Sequence, residues 1–351
     1  MSVPATRTPR RPAVAAAVAV ALAAGTTLTL AGTASAHTSG AEVTTAKLTK
    51  GLYQSAYSER NGVLWATSAV GRPPVTESHL LKVDPKTLEI EADYTPPVTD
   101  TATGAVEAVY GVAVDDEHNT VWTTNTRDNS VSVYSQRTGE RLAGLPNVAH
   151  AREIVVDERH DTVWASGFGD GTLVAFDSKT FEEKKRVTVE GAGPAGLAVD
   201  ERTGTLYAAD LNNDRLIELT PGSAAPRFLP AGDGPISVSL SKNGRTAYTA
   251  DQTSGTVSVI DLRKGTVTKS VATGAGALSV ATDERSGDVV VVNRTAATVT
   301  VVDPRRGVVE ETVATGANPN HVEVADGTAY VLDKSGAGQT EDTLTRIRLA
   351  R

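Results

Sequence analysis

The stretch from residue 277 to residue 319 alternates short apolar runs with clusters of turn-forming residues. Its apolar runs are residues 278–281, 289–292, 299–302 and 308–313. The breaks between them read Asp-Glu-Arg-Ser-Gly, Asn-Arg-Thr-Ala and Asp-Pro-Arg-Arg-Gly, and these residue types favour tight turns. The pattern predicts four antiparallel strands within about forty residues, which is the size of one propeller blade.

The same unit recurs along the chain. The predicted first strands end at Ser58, Asp115, Asp157, Asp200, Ser241, Asp283 and Ala325. The last six of these positions are 41 to 43 residues apart, whereas the first gap is 57 residues. The predicted second strands read VLWATS, TVWTTN, TVWASG, TLYAAD, TAYTAD, DVVVVN and TAYVLD. Seven copies of a four-stranded unit predict an all-β, seven-bladed β-propeller.

The last copy has only three strands before the sequence ends at Arg351. We expect residues 41–48 to supply its missing outer strand, so that an N-terminal strand completes the last blade and closes the ring. The third position of the second strand is aromatic in six copies, and we expect these side chains to pack blade against blade. They are Trp65, Trp122, Trp164, Tyr207, Tyr248 and Tyr330.

Residues 1–36 have the pattern of a secretory signal peptide. Arg7, Arg10 and Arg11 precede an apolar run at residues 13–24, and Ala34-Ser35-Ala36 forms a cleavage pattern before His37. The run is shorter than the roughly 20 residues that a spanning helix needs. We therefore expect a signal peptide at 1–36, a propeller at 37–351, no membrane span, and secretion to the extracellular or cell-wall space. Both the general secretory and the twin-arginine route remain open.

Charge and cysteine content narrow the possible partners. The formal net charge of the chain is −8, and removing residues 1–36 removes three arginines and no acidic residue, which makes it −11. Such an acidic chain argues against a broad phosphate-binding surface, so we do not expect a nucleic-acid partner. The absence of cysteine excludes disulfides, thiolate metal sites and a cysteine nucleophile. We expect a monomer.

The ends of several second strands resemble the YVTN repeat. They read Trp-Thr-Thr-Asn at 122–125, Tyr-Thr-Ala-Asp at 248–251 and Val-Val-Val-Asn at 290–293, with Gly-x-x-Pro at 191–194, 232–235 and 316–319. The chain from residue 37 resembles secreted YVTN-repeat propellers of the YncE-like type. This resemblance implies an extracytoplasmic location and, in part of that group, binding of single-stranded DNA. It leaves the function open, because such propellers include binding proteins and enzymes alike.

One end of the central channel, the mouth, is the expected functional face. In an antiparallel blade the loop before the first strand and the loop after the second strand both lie there. The residues that open the first strands are polar or aromatic in blades 1, 2, 3 and 7. Our ligand-binding candidates are therefore Tyr53, Tyr110, Arg152, Glu153, Asn320 and His321. Arg152 is the main cation among the residues that open the blades, and it can pair with carboxylate or phosphate oxygens in a bidentate way. Long loops at 69–78, 95–105 and 334–341 predict a lid or partner surface in the same sector.

The residues that close the second strands offer a second interpretation of the mouth. They are Ser68, Asn125, Gly167, Asp210, Asp251, Asn293 and Asp333. Oxygen ligands of this kind suit Ca²⁺ or Mg²⁺, but Asn and Asp also cap the turn that follows them. Their recurrence in nearly every blade favours capping. His118 and His160 fall in turns of the opposite face, where we expect them to be solvated.

Two functions follow from this pattern. The first is a binding or interaction propeller whose mouth engages a small molecule, a glycan, a peptide or a partner protein. The second is a lactonase-like hydrolase or lyase that uses a divalent cation such as Ca²⁺ or Mg²⁺ at the mouth. Such an enzyme needs a convergent cluster of acidic ligands, and the candidates are scattered around the ring. We therefore favour the binding protein, and no catalytic residue or metal ligand can be assigned.

Overall fold

The computed structural model describes residues 42–223, 225–334 and 341–350. The predicted signal peptide at 1–36 lies outside these residues. Within them the chain forms seven four-stranded antiparallel sheets and one two-stranded hairpin. A single 3₁₀ turn, Glu158–His160, is the one helical element of these ranges. None of the described residues belongs to a helix with the length and apolar character needed to cross a membrane.

The sheets follow one another as blades along the chain. Strand β1 is Val43–Lys47, and blade 1 contains β2 (Leu52–Ser58), β3 (Val63–Ala69), β4 (Ser78–Val83) and β5 (Ile90–Tyr94). The hairpin is β6 (Val98–Asp100) and β7 (Ala105–Val106). Blade 2 contains β8 (Val112–Asp115), β9 (Thr120–Asn125), β10 (Ser130–Ser135) and β11 (Arg141–Pro146). Blade 3 contains β12 (Ala151–Asp157), β13 (Thr162–Gly167), β14 (Thr172–Asp177) and β15 (Glu183–Thr188).

The remaining blades repeat this arrangement. Blade 4 contains β16 (Pro194–Asp200), β17 (Thr205–Asp210), β18 (Arg215–Leu219) and β19 (Arg227–Pro230). Blade 5 contains β20 (Pro235–Leu240), β21 (Thr246–Asp251), β22 (Thr256–Asp261) and β23 (Thr266–Ala272). Blade 6 contains β24 (Ala277–Thr282), β25 (Val289–Asn293), β26 (Thr298–Asp303) and β27 (Val308–Ala314). Blade 7 contains β28 (Pro319–Ala325), β29 (Thr328–Asp333), β30 (Thr343–Arg348) and β1.

The first strands of the blades form the inner ring. Each contacts its neighbours in the order β2, β8, β12, β16, β20, β24, β28 and again β2, so they enclose a central channel. The second strands β9, β13 and β17 are buried at every residue, because both faces of each are covered. The outer strands alternate between exposed and partly buried residues. This arrangement confirms the predicted all-β, seven-bladed propeller.

Aromatic side chains of the second strands fill the spaces between blades. Trp65 of blade 1 packs with Val121 and Tyr134 of blade 2, and Trp122 of blade 2 packs with Phe176 of blade 3. Both tryptophans have no accessible surface. A buried indole also needs a hydrogen-bond acceptor, and Trp65 Nε1 donates to Gln136 Oε1 at 3.1 Å. The predicted packing of blade against blade is confirmed at these junctions.

The ring closes as predicted, by an N-terminal strand that completes blade 7. Strand β1 pairs antiparallel with β30, with Val43 opposite Ile347 and Lys47 opposite Thr343. Leu48 follows β1 and is only 4% exposed, in a cluster with Leu344 of blade 7 and Leu52 of blade 1. The N-terminal segment therefore contributes to blade 7 and also to the junction between blades 7 and 1.

Shortening the chain to begin at residue 50 should lower its melting temperature, because blade 7 would lose its outer strand. A single substitution isolates the packing part of this effect. We expect Leu48→Ala to lower the free energy of unfolding by about 2–5 kcal/mol, the usual range for a buried leucine. The control is Val43→Ala, whose exposed side chain should contribute less than about 0.5 kcal/mol. Denaturant unfolding measures both, and equal effects of the two substitutions would contradict the closure.

Candidate functional site

The first strand of most blades is irregular at its mouth end. In blade 1 the pairing with β3 passes from Leu52 to Ser55. In blade 3 the pairing with β13 passes from Ala151 to Ile154. Such β-bulges leave residues out of the ladder and re-aim their side chains. The bulge residues that line the mouth are Tyr53, Gln54, Arg152, Glu153, Ile236, Leu278 and Asn320.

Hydroxyl groups of the second strands hold these irregular segments in place. Thr124 Oγ1 accepts the backbone N–H of Gly111 at 2.8 Å and donates to the carbonyl oxygen of Arg152 at 3.0 Å. Ser166 Oγ repeats the arrangement between blades 3 and 4 by accepting the N–H of Glu153 at 2.9 Å. A hydroxyl can donate and accept at once. Each of these two hydroxyl groups therefore binds the backbone of the first strand in its own blade and a backbone carbonyl of the next blade.

Gly111 is required by the same contact. A Cβ atom at this position would lie 2.6 Å from the carbonyl oxygen of Arg152 and 2.6 Å from Thr124 Oγ1. Real Cβ atoms do not approach other atoms this closely, so a side chain here would push the backbone of blade 3 away. The position of Arg152 at the mouth therefore depends on a glycine in the blade beside it.

The mouth cavity has a volume of about 250 Å³. Its lining residues are Tyr53, Gln54, Tyr110, Gly111, Thr126, Arg127, His150, Arg152, Glu153, Ile236, Ser237, Leu278, Arg294, Asn320 and Lys334. Five of the six predicted candidates are among them. The sixth, His321, lines the channel below the cavity. The expected place of His321 at the mouth is wrong because the bulge of blade 7 releases only Asn320, and His321 returns to the ladder opposite Leu332.

Two tyrosines form one wall of the cavity. The rings of Tyr53 and Tyr110 meet edge to face, with centroids 4.3 Å apart and planes at 80°. Behind them Val75, from the long loop of blade 1, packs in a small buried cluster with Tyr110. The Val75 carbonyl accepts the N–H of Val106 in the β6–β7 hairpin at 2.9 Å. Both long loops of this sector therefore support the wall. Most of the third, at residues 335–340, lies outside the described residues.

Four cationic side chains converge on the cavity: Arg127, Arg152, Arg294 and Lys334. Among the described residues none of the four lies within ion-pair distance of a carboxylate. The Arg294 Nη2 group donates to Asn320 Oδ1 at 2.6 Å, and its buried Nε has no hydrogen-bond partner within the same part of the chain. Among the described residues, the mouth thus holds four cationic side chains and one lining carboxylate, Glu153.

Among the described lining residues, Arg152 is the one cation that opens a first strand, and the other three follow second strands. Arg294 and Lys334 are the first residues after β25 and β29, and Arg127 is the second residue after β9. Our sequence interpretation considered the residue that closes each second strand but not the residues after it. Arg294 and Lys334 occupy that next position in two consecutive blades, and this signal in the sequence was sufficient to find them.

The pKa shifts of the cavity residues reflect burial and the shared positive charge. Burial, together with the nearby Arg294, lowers the pKa of Lys334 to about 7. Burial, together with Arg127 and Arg152, lowers the pKa of His150. The Lys334 Nζ atom lies 3.1 Å from the centroid of the Tyr53 ring. Each shift favours loss of a positive charge, with burial as its main cause and the neighbouring arginines as a further one.

The residues that close the second strands are committed to local hydrogen bonds. Asp251 Oδ2 accepts from Ser258 Oγ at 2.7 Å, and Asp210 Oδ1 accepts the N–H of Gly193 at 2.8 Å. Asn293 Nδ2 donates to the side chains of Thr298 and Thr300 and to a backbone carbonyl. These contacts join the ends of the second strands to hydroxyl groups of the third strands and to the loops before the first strands, which differs from the predicted capping of the following turn.

One group of potential metal ligands occurs among the described residues, on the face opposite the mouth. It comprises Glu117, His118 and Asp161. His118 Nδ1 lies 2.8 Å from Asp115 Oδ2, and Lys179 Nζ lies 2.8 Å from Asp161 Oδ2. The expectation of a solvated His118 is wrong, because its side chain is only 18% exposed. This group is remote from the cavity, and a lysine already neutralises one of its acids.

Comparison with known proteins gives weak but consistent similarity. The chain is 26% identical over 245 residues to the uncharacterised protein YncE of Salmonella typhi and of Salmonella typhimurium. It is also 26% identical over 243 residues to YncE of Escherichia coli O157:H7. The chain is a seven-bladed propeller with weak similarity to the YncE proteins. The match covers 64% of this chain and 65% of the length of each relative, and no protein-family profile matches the chain. The similarity supports the fold and indicates no ligand, because these YncE relatives are themselves uncharacterised.

Below the mouth, the channel of this YncE-like propeller holds three titratable groups. Burial raises the pKa of Glu153 and of Glu323 to about 7, and the two carboxylates also disfavour each other. Burial lowers the pKa of His321 to about 4. The side chains of Glu153, His321 and Glu323 are partly exposed to the channel. Protein atoms nevertheless surround their titratable groups closely enough to cause these shifts. His321 Nδ1 and Glu323 Oε1 accept backbone N–H groups of blade 1 at 3.3 and 3.4 Å, so they join blades 7 and 1.

Glu323→Gln should make stability less dependent on pH. A raised folded-state pKa means that the stability contributed by Glu323 is complete below about pH 4.5 and is lost as the pH rises through about 7. His321 acts in the opposite sense, because its lowered pKa favours folding above about pH 6.5. We therefore expect the fall in Tm between pH 5 and pH 8 to be smaller in Glu323→Gln than in the unmodified protein.

Scanning calorimetry at several pH values tests this expectation. Glutamine keeps an oxygen that can accept the backbone N–H of blade 1, so the junction contact is preserved. The control is Glu89→Gln, which changes an exposed carboxylate and should leave the pH profile unaltered. Parallel profiles for Glu323→Gln and the unmodified protein would contradict the raised pKa.

Proposed function

We propose that this YncE-like propeller is a binding protein whose mouth cavity takes a small anionic molecule with a carboxylate or phosphate group. The observation that carries the proposal is the convergence of four cationic side chains on one cavity, none of them within ion-pair distance of a carboxylate in the part of the chain that the structure describes. Gathering like charges in a partly desolvated place is costly. An anionic ligand offsets that cost and gains charge-assisted hydrogen bonds.

The two sides of the cavity suit the two ends of such a ligand. Three guanidinium groups line the cavity, those of Arg127, Arg152 and Arg294. A guanidinium group can donate two parallel hydrogen bonds to two oxygens of one carboxylate or phosphate. Ile236 of blade 5 and Leu278 of blade 6 provide apolar surface, and Leu278 shares its blade with Arg294. The anionic group of the ligand would lie against the arginines, and its carbon skeleton would lie against the two aliphatic side chains.

The dimensions of the cavity favour a metabolite-sized ligand. A volume of about 250 Å³ is near the lower end of the range for small-molecule sites, about 300–1,000 Å³. A polynucleotide would extend beyond the cavity over a chain whose formal net charge is −8. We therefore do not include nucleic acid among the proposed partners, although the mouth is more basic than its opening residues alone predict.

The arrangement supports a metal-dependent hydrolase less well. Glu153 is the one carboxylate among the described lining residues, and it already accepts from Gln54 Nε2 at 3.0 Å. A Ca²⁺ or Mg²⁺ ion needs several anionic oxygen ligands. At this place it would instead face three guanidinium groups and the amine of Lys334. The pattern at residues 1–36 supports our further proposal that the protein works outside the cell, where it would encounter soluble anions.

Arg152→Gln and Arg294→Gln should each weaken the binding of citrate by about ten- to a hundredfold. A hydrogen bond to a charged group contributes about 1.5–3 kcal/mol, and each 1.4 kcal/mol is a factor of ten in affinity. Isothermal titration calorimetry at low salt measures this loss. The control is Arg137→Gln, which removes an exposed arginine from the turn between β10 and β11 and should leave the affinity unchanged.

Two further results are expected from the same calorimetric titration. Citrate affinity should fall with added salt, because the attraction is electrostatic. A short single-stranded oligonucleotide should bind more weakly than citrate. Full citrate affinity in both cavity variants, or tighter binding of the oligonucleotide, would contradict a small-anion site.

A further inference from the structure

Lys334 differs in its surroundings from the other cations of the cavity. It is the one lysine among the lining residues. Its Nζ atom lies over the Tyr53 ring, 3.1 Å from the centroid, and its backbone N–H donates to the carbonyl of Asn318 at 2.9 Å. The main chain at Lys334 is thus anchored to the turn before β28. The amine is presented to the cavity from a fixed position.

Lys334 lies beside cations that can hold the acid group of a ligand. Arg294 is close enough to disfavour the charged form of Lys334, and it also lines the cavity. Asp342, the acidic group that favours the charged form, accepts the N–H groups of Gly51 and Leu52 at 2.7 and 2.9 Å. The carboxylate of Asp342 is therefore engaged with the backbone of blade 1. The local balance favours a neutral amine next to an anion-binding guanidinium group.

We propose that Lys334 forms an imine with a 2-oxo carboxylate whose acid group is held by the arginines of the mouth cavity. This inference rests on the proposed function, since the carboxylate must first bind. In a 2-oxo acid the carbonyl carbon is one bond away from the carboxylate. A ligand anchored at Arg294 therefore brings an electrophilic carbon near the amine of Lys334.

The reaction needs no further reactant. The lone pair of the neutral Nζ atom attacks the carbonyl carbon, and the oxygen gains a proton to give a carbinolamine. Loss of that hydroxyl group with a proton from nitrogen releases one molecule of water and leaves a carbon–nitrogen double bond to Lys334. A lysine activated by burial and a neighbouring cation is an established kind of nucleophile.

The availability of the neutral amine sets Lys334 apart from ordinary lysines. With a pKa of about 7, about half of Lys334 is neutral at pH 7. An ordinary lysine, with a pKa of about 10.4, has roughly a thousandfold less neutral amine at that pH. The charged groups that act on it are Arg294 and Asp342, and its amine lies over the ring of Tyr53. Imine formation should therefore reach half of its maximal rate near pH 7.

Reductive trapping tests the inference. The protein is incubated with pyruvate or 2-oxoglutarate and sodium cyanoborohydride, and peptide mass spectrometry locates the reduced adduct. We expect one adduct per chain, on Lys334. The matched ligands lactate and 2-hydroxyglutarate keep the carboxylate and lack the carbonyl, so they should bind without forming an adduct.

Two variants separate a nucleophile from a simple positive charge. Lys334→Arg keeps the charge and should reduce the adduct at least about tenfold, while 2-hydroxyglutarate affinity stays within about threefold, because binding depends on charge and trapping on a neutral amine. Lys50→Arg, at a lysine that precedes β2 outside the cavity, should leave both unchanged. Retained 2-hydroxyglutarate binding also shows that the variant is folded.

The outcomes distinguish this inference from the proposed function. If the hydroxy acids bind and no adduct forms, or if several lysines react equally, the imine is refuted and the anion site stands. If neither oxo nor hydroxy acids bind and no adduct forms, the inference fails. If citrate binding is then also absent, the proposed function fails with it.

Discussion

The structure depends on the requirement that every blade be covered on both faces by its neighbours. The second strands are buried along nearly their whole length, which is possible only if the ring has no open junction. Closure by β1 meets this requirement at the last junction. Leu48 packs between blades 7 and 1 after the outer strand, and the side chains of His321 and Glu323 accept backbone N–H groups of blade 1 at the channel. The two buried acceptors in the channel are thus part of the closure, and their altered pKa values follow from it.

The mouth cavity is built from the points where regular pairing stops. The bulges release Tyr53 and Arg152 from the ladder, and hydroxyl groups such as that of Thr124 hold the released segments against the next blade. The turns after the second strands add Arg294 and Lys334. A rigid ring therefore holds four cationic side chains close together. The fold, and not any attraction between these side chains, keeps them in place despite their mutual repulsion.

Repeat length and turn chemistry were sufficient to predict seven blades and the closing strand, because each blade repeats the same local pattern. Five of the six candidate mouth residues could also be predicted, since the loop geometry of a blade determines which residues open it. The position of His321 could not be predicted from the sequence, because a one-residue bulge decides which side chain of blade 7 reaches the mouth. Arg294 and Lys334 could have been predicted, because each directly follows a second strand. Arg127 could not, because it lies one position further along and joins them only when the ring brings distant turns together.

The pairing of β1 with β30 also determines how the propeller would respond to mechanical force. The start of β1 lies beside the end of β30, with Val43 opposite Ile347, and Arg348 beyond them contacts Glu42 at 3.3 Å. Pulling on the two ends of the described chain would therefore load the hydrogen bonds of this pair one after another, as in opening a zipper. The strand pair would not be loaded in the shear geometry, in which all of its hydrogen bonds resist the force together. The seam that closes the ring is thus the part that a stretching force along the polypeptide would open first.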